Sequence, residues 1–140
     1  MTAHLHPLRP SARRLLPLIV LSVIGTTAPS VVAAPSPSST VAAGSRVAIT
    51  FVADRRDNGP AAWFDSLGRQ REQARTVLSS FSTAQQLWSS TLVYTSQQPV
   101  RLTASFTTGG AFARCVITVD DEVRDTRTTV ATRGRVTCAP

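Results

Sequence analysis

Cys115 and Cys138 carry the most definite chemistry in this sequence. Cys115 shares the apolar parity of an alternating run with Ala113, Ile117 and Val119, and Cys138 shares it with Val136. Two inward-facing cysteines in an exported chain imply one structural disulfide. A reactive thiol or a metal site would call for a CxxC pair or a nearby histidine, and neither is present. Closing a loop of about 24 residues is worth roughly 3.4 kcal/mol in the chain-entropy model. The other reactive side chains are few. All 15 basic residues counted as Lys+Arg are arginine, and His4 and His6 lie at the extreme N-terminus. Schiff-base lysine, P-loop and histidine-based nucleophilic chemistry are therefore excluded from the exported part.

The remaining candidates each have two readings. Asp120, Asp121, Glu122 and Asp125 place four of the 8 acids close together. They read as a calcium site or, with no EF-hand spacing, as a solvated hairpin turn. Arg114, Arg124, Arg127 and Arg135 read as a basic stripe toward anionic lipid headgroups or an acidic partner, or as charges that solubilise a sheet and guard its edge. Trp63 and Trp88 read as the lining of a ligand groove, or Trp88 as a core residue against the disulfide. The expected core is Trp88, Ile117, Val119 and Val136. No catalytic set, cofactor site or metal site is expected. Only 16% of residues are charged, too few for a nucleic-acid-binding tail.

These residues sit in a chain with mainly period-two patterning. Val47, Ile49, Phe51 and Ala53 alternate with more polar neighbours, and Asn58-Gly59 carries residues that tolerate positive φ. Ala62, Trp63, Phe64 and Leu67 form a second run, ended by Gly68. Leu87 to Thr95 makes a third. Leu102, Ala104 and Phe106 alternate before Gly109-Gly110. Asp120-Asp121 is a tight turn, and a polar, edge-like strand follows from Glu122 to Thr129. Short strands with turn signals every eight to twelve residues indicate an all-β sandwich of about seven strands. One stretch differs: Ala74, Val77, Leu78 and Phe81 follow helical spacing. Residues 69–81 are either a short helix or a strand plus loop.

The N-terminal part is of another kind. Arg9, Arg13 and Arg14 precede Leu15 to Gly25, an apolar run of about eleven residues spanning roughly 17 Å as a helix. Val31, Ala33 and Ala34 are placed as a signal peptidase requires. Residues 1–34 read as a hydrophobic helix, either a cleaved signal peptide or a membrane anchor. Residues 35–44 read as a Pro/Ser-rich linker, and residues 45–140 as the folded domain. The chain is exported under either reading. Its formal net charge of +7 includes three leader arginines.

The run from Cys115 to Asp120, the polar strand after it and the closing Val136-Thr137-Cys138 resemble the C-terminal signature of the MmpS family. The upstream order is similar too: an alternating strand, Trp63-Phe64-Asp65 ending in Gly68, then Leu87-Trp88-Ser89. The resemblance covers roughly residues 45–140. It implies an exported Ig-like β-sandwich, accessory to a large MmpL transporter of the RND class, with a lipid or siderophore as cargo. It also implies membrane association through the N-terminus. The alternative is a freely secreted β-sandwich that binds or inhibits an extracellular target without a transporter.

Overall fold

The computed structural model describes residues 39–140. The expected leader and most of the linker's proline-rich start lie outside the described residues. In chain order the strands are β1 (Thr40–Val41), β2 (Arg46–Ala53), β3 (Asp57–Asn58), β4 (Ala61–Phe64), β5 (Gln70–Gln73), β6 (Thr76–Val77), β7 (Ser80–Ser82), β8 (Leu87–Thr95), β9 (Val100–Arg101), β10 (Ala104–Thr107), β11 (Phe112–Val119), β12 (Glu122–Val130) and β13 (Arg135–Cys138). Among the described residues there is no helix, so the all-β expectation holds. The strand count exceeds about seven because several are two-residue bridges.

A 5-stranded sheet runs β12-β11-β2-β8-β7, and a 4-stranded sheet runs β13-β10-β4-β5. Small pairs β1-β9 and β3-β6 complete the set. The period-two pattern explains the main strands. In β2 the residues Val47, Ile49, Phe51 and Ala53 are buried while their neighbours are not. In β11 the same holds for Ala113, Cys115, Ile117 and Val119. Antiparallel pairing of Val47 with Val119 and of Ala53 with Ala113 aligns the two apolar rows. The hairpin from β11 to β12 turns on Asp120 (φ 49°) and Asp121 (φ 66°), the positive pair that a two-residue hairpin demands.

The buried faces of the two larger sheets share one apolar cluster. Phe51 of the first stacks on Phe106 of the second, with centroids 5.0 Å apart. Cys115 in β11 is bonded to Cys138 in β13, so the disulfide ties one sheet to the other, with Cα atoms 6.0 Å apart. Both cysteines are fully buried, as are Ile117 and, nearly so, Val119 and Val136.

One open alternative is decided and two local expectations need adjustment. Residues 69–81 form β5, β6 and β7 rather than a helix. Of the apolar residues at helical spacing only Leu78 is buried, whereas Val77 is 46% and Phe81 44% exposed. The Leu78 N–H donates to the Arg56 carbonyl (2.9 Å) and the Ser79 N–H to Ser90 Oγ (2.9 Å), so long-range partners replace a helical ladder. At Asn58-Gly59 no positive φ is used. Asn58 instead closes the loop with its side chain: Nδ2 donates to the Arg55 and Arg56 carbonyls (2.9 and 3.0 Å), and Oδ1 accepts from the Gly109 N–H (2.9 Å). Gly109 is needed for close approach, since a Cβ there would collide with the Asp57 carbonyl. Thr40 and Val41, in the stretch read as linker, also belong to the fold, because β1 pairs with β9 and Val41 is buried.

Candidate binding surface

The four arginines read as a stripe are dispersed over both sheets. Arg135 lies on the four-stranded sheet, where its Nη2 donates to Ser105 Oγ (2.8 Å). Arg114 lies on the five-stranded sheet, 5.4 Å above the Phe112 ring. Arg124 faces Glu122 at 3.8 Å, and Arg127 pairs with Asp125 at 3.0 Å. A bulge separates these two, because Ile117 pairs with Asp125 but Thr118 with Val123. Arg124 is the extra residue, and Arg127 shifts to the parity of Cys115. Sequence parity alone cannot register such a bulge.

The acidic quartet is engaged within the protein. Asp120 Oδ1 accepts from the Arg46 N–H (2.8 Å), and Asp121 pairs with the Arg46 guanidinium (2.8 Å). Asp125 accepts from the Ala139 N–H (2.9 Å) as well as from Arg127. The described residues contain no group of three or more His, Cys, Asp or Glu placed to hold a metal ion.

Arginine and aromatic side chains meet at the loop that follows β2. Trp88 is only partly buried. It is separated from the strand of Cys115 by β2, and Phe51, not Trp88, is the residue opposite that cysteine. Trp88 is opposite Phe81 in β7, with ring centroids 4.9 Å apart, and the Arg56 guanidinium stands 5.8 Å from the Trp88 ring. Arg55, Arg56, Asp57, Trp88 and Gly109 surround a hollow of about 500 Å³. Arg75 is paired with Asp57 (2.8 Å), but neither Arg55 nor Arg56 has a carboxylate partner among the described residues.

Asp54 borders the same hollow, but its oxygens are bonded to other donors and not to those arginines. They accept from the Ala111 N–H (2.9 Å), the Phe112 N–H (3.3 Å) and the Thr108 hydroxyl (3.3 Å). Burial by itself would raise the Asp54 pKa, but these donors together hold it below the ordinary carboxylate range. Two further groups are shifted. The Arg69 N–H holds Asp65 low against a desolvation that would raise it, aided by the Leu67 N–H and the Arg71 guanidinium. Burial, with the Asp65 charge adding to it, pushes the Tyr94 hydroxyl up to about 12. All three belong to the scaffold.

The sequence reading missed the Arg56–Trp88–Phe81 cluster. Arg55-Arg56 reads as a polar turn and Phe81 as part of a helical face. Only the pairing of β7 with β8 brings the three together. Comparison with protein-family models, curated proteins and solved structures finds no match to this chain.

Proposed function

We propose that this protein is an exported, non-enzymatic accessory of an MmpL/RND-type lipid or siderophore transporter, and that it docks on that partner through the Arg56–Trp88–Phe81 surface. The two larger sheets are read as the layers of an Ig-like sandwich, with residues 1–34 as an N-terminal helix that delivers it to the cell envelope. The observation that supports the docking step is the pair of exposed Phe81 and partly buried Trp88 beside two arginines without carboxylate partners. Trp and Arg are among the residue types that dominate binding energy at protein interfaces. The unpaired guanidinium groups here fit an acidic, partly apolar partner segment.

The test uses the full-length tagged chain, extracted from its native membranes in mild detergent. A large RND transporter should co-purify, and Arg56→Glu should abolish that capture while leaving the thermal unfolding transition in place. Recovery only from the medium, as a chain beginning near Ala34 and without a transporter, would instead establish the freely secreted binding protein.

A further inference from the structure

The register of the four-stranded sheet points to a second site, independent of the docking reading. Ala104 pairs with Cys138 and Trp63, and Phe106 with Val136 and Ala61, which assigns those residues to the core face. Ser105, opposite Ala62 and Thr137, therefore belongs to the other face, with Phe64 and Arg135 two positions along. Two hollows, of about 260 and about 450 Å³, lie on that face and share Ala62, Ser105 and Arg135. The small side chains of Ala62 and Ser105 leave the depression.

Its chemistry is asymmetric. The smaller hollow has Arg101 and Arg135 beside Phe64, with the hydroxyls of Thr103 and Thr137. Neither arginine has a carboxylate partner among the described residues. Ser105 is only 7% exposed, and its hydroxyl accepts from Arg135 Nη2, which fixes the guanidinium at the rim. The larger hollow continues past Ala62 to Pro60 and Ala74, with Glu72 as its one acid. Glu72 accepts from Gln70 Nε2 (2.8 Å).

We infer that this groove binds a monocarboxylate bearing a short apolar chain, with the carboxylate on Arg101 and Arg135 and the chain lying across Ala62 toward Pro60 and Ala74. Guanidinium groups match a planar carboxylate with paired donors. Glu72 beside the larger hollow rejects a second negative charge, so the ligand is charged at one end only.

Octanoate is the probe, titrated into the ¹⁵N-labelled full chain in phospholipid nanodiscs and read by amide chemical shifts, with octan-1-ol and inorganic phosphate as controls. Saturable shifts should centre on Ala62, Ser105, Arg135 and Thr137, and neither control should reproduce them. Arg135→Gln should weaken binding about tenfold or more, the scale of one lost charge-assisted hydrogen bond. Ala62→Leu, which fills the floor without changing charge, should abolish it. Arg114→Gln, a matched charge loss on the other sheet, should leave it unchanged. The inference is overturned if octanoate gives no saturable shift, if octan-1-ol or phosphate binds as well, or if Arg114→Gln weakens binding as much as Arg135→Gln.

Discussion

Reducing the Cys115–Cys138 bond tests the central energetic argument about this fold. The bridge joins residues 23 apart in sequence and lies in a fully buried position between two sheets. Reduction leaves two thiols in nearly the same space, so little packing is lost. The main effect is the added freedom of the unfolded chain. Loop-closure entropy puts this at about 3.4 kcal/mol. For a domain of about 100 residues each kcal/mol moves Tm by about 4–8 °C, so the expected drop is about 14–27 °C. Thermal melts with and without reductant measure the drop, and urea unfolding followed by far-UV circular dichroism measures the free energy. The urea slope should also steepen, because an uncrosslinked unfolded chain exposes more surface. Cys115→Ala and Cys138→Ala should agree within about 1 kcal/mol, since either one removes the same cross-link from an equally buried pair. The double variant should fall close to both. A loss below about 1 kcal/mol on reduction, or single variants that clearly differ, would refute this account.

Other perturbations probe separate parts. Tyr94 has a raised folded pKa of about 12. Its contribution is therefore complete below the unfolded value near 10 and lost as pH rises through the folded one. Tyr94→Phe should flatten the fall in stability between about pH 10 and 12 in alkaline melts. Asp54 has a lowered pKa, so its contribution is present above about pH 4 and disappears as pH falls through the folded value. Asp54→Asn should cost about 1.5–3 kcal/mol at pH 7 in urea titrations and reduce acid sensitivity. Asp121→Gly should raise stability by less than about 1 kcal/mol, because relief of positive φ outweighs the loss of an exposed ion pair with Arg46, whereas Asp120→Gly should gain less still because it forfeits the bond to the Arg46 N–H. Calorimetric Tm values for the two variants decide this.

Alternation proved to be the legible part of the sequence. Where one face of a strand is buried and the other is not, as in β2 and β11, residue type reports the face directly. The same parity puts Cys115 and Cys138 on the inward faces of their strands, where both are fully buried. Legibility failed where distant partners set the local structure. Leu78 is fully buried, yet its spacing from Ala74 and Phe81 reads as helical, because a loop crossing the rim of a core can bury one residue in four by accident. The arginine stripe failed for a related reason. One bulged residue exchanges the two faces of β12 for everything after it. The aromatic–arginine surface depends on residues from three elements, and nothing in the local pattern of any one marks it.

The two proposed surfaces can be separated by mutation because they share no lining residue. One is built from the loop after β2, β7 and β8, and the other from β4, β5, β9, β10 and β13. No ion pair joins them, since Arg75 meets Asp57 on one and Arg135 meets Ser105 on the other. Substitutions at sites without shared partners add within about 0.5 kcal/mol. Arg56→Glu should therefore remove transporter capture and leave octanoate binding within about twofold of wild type. Arg135→Gln should do the reverse. If Arg56→Glu also abolished octanoate binding, a general effect of charge or folding would explain both losses, and neither surface could be credited with a ligand of its own.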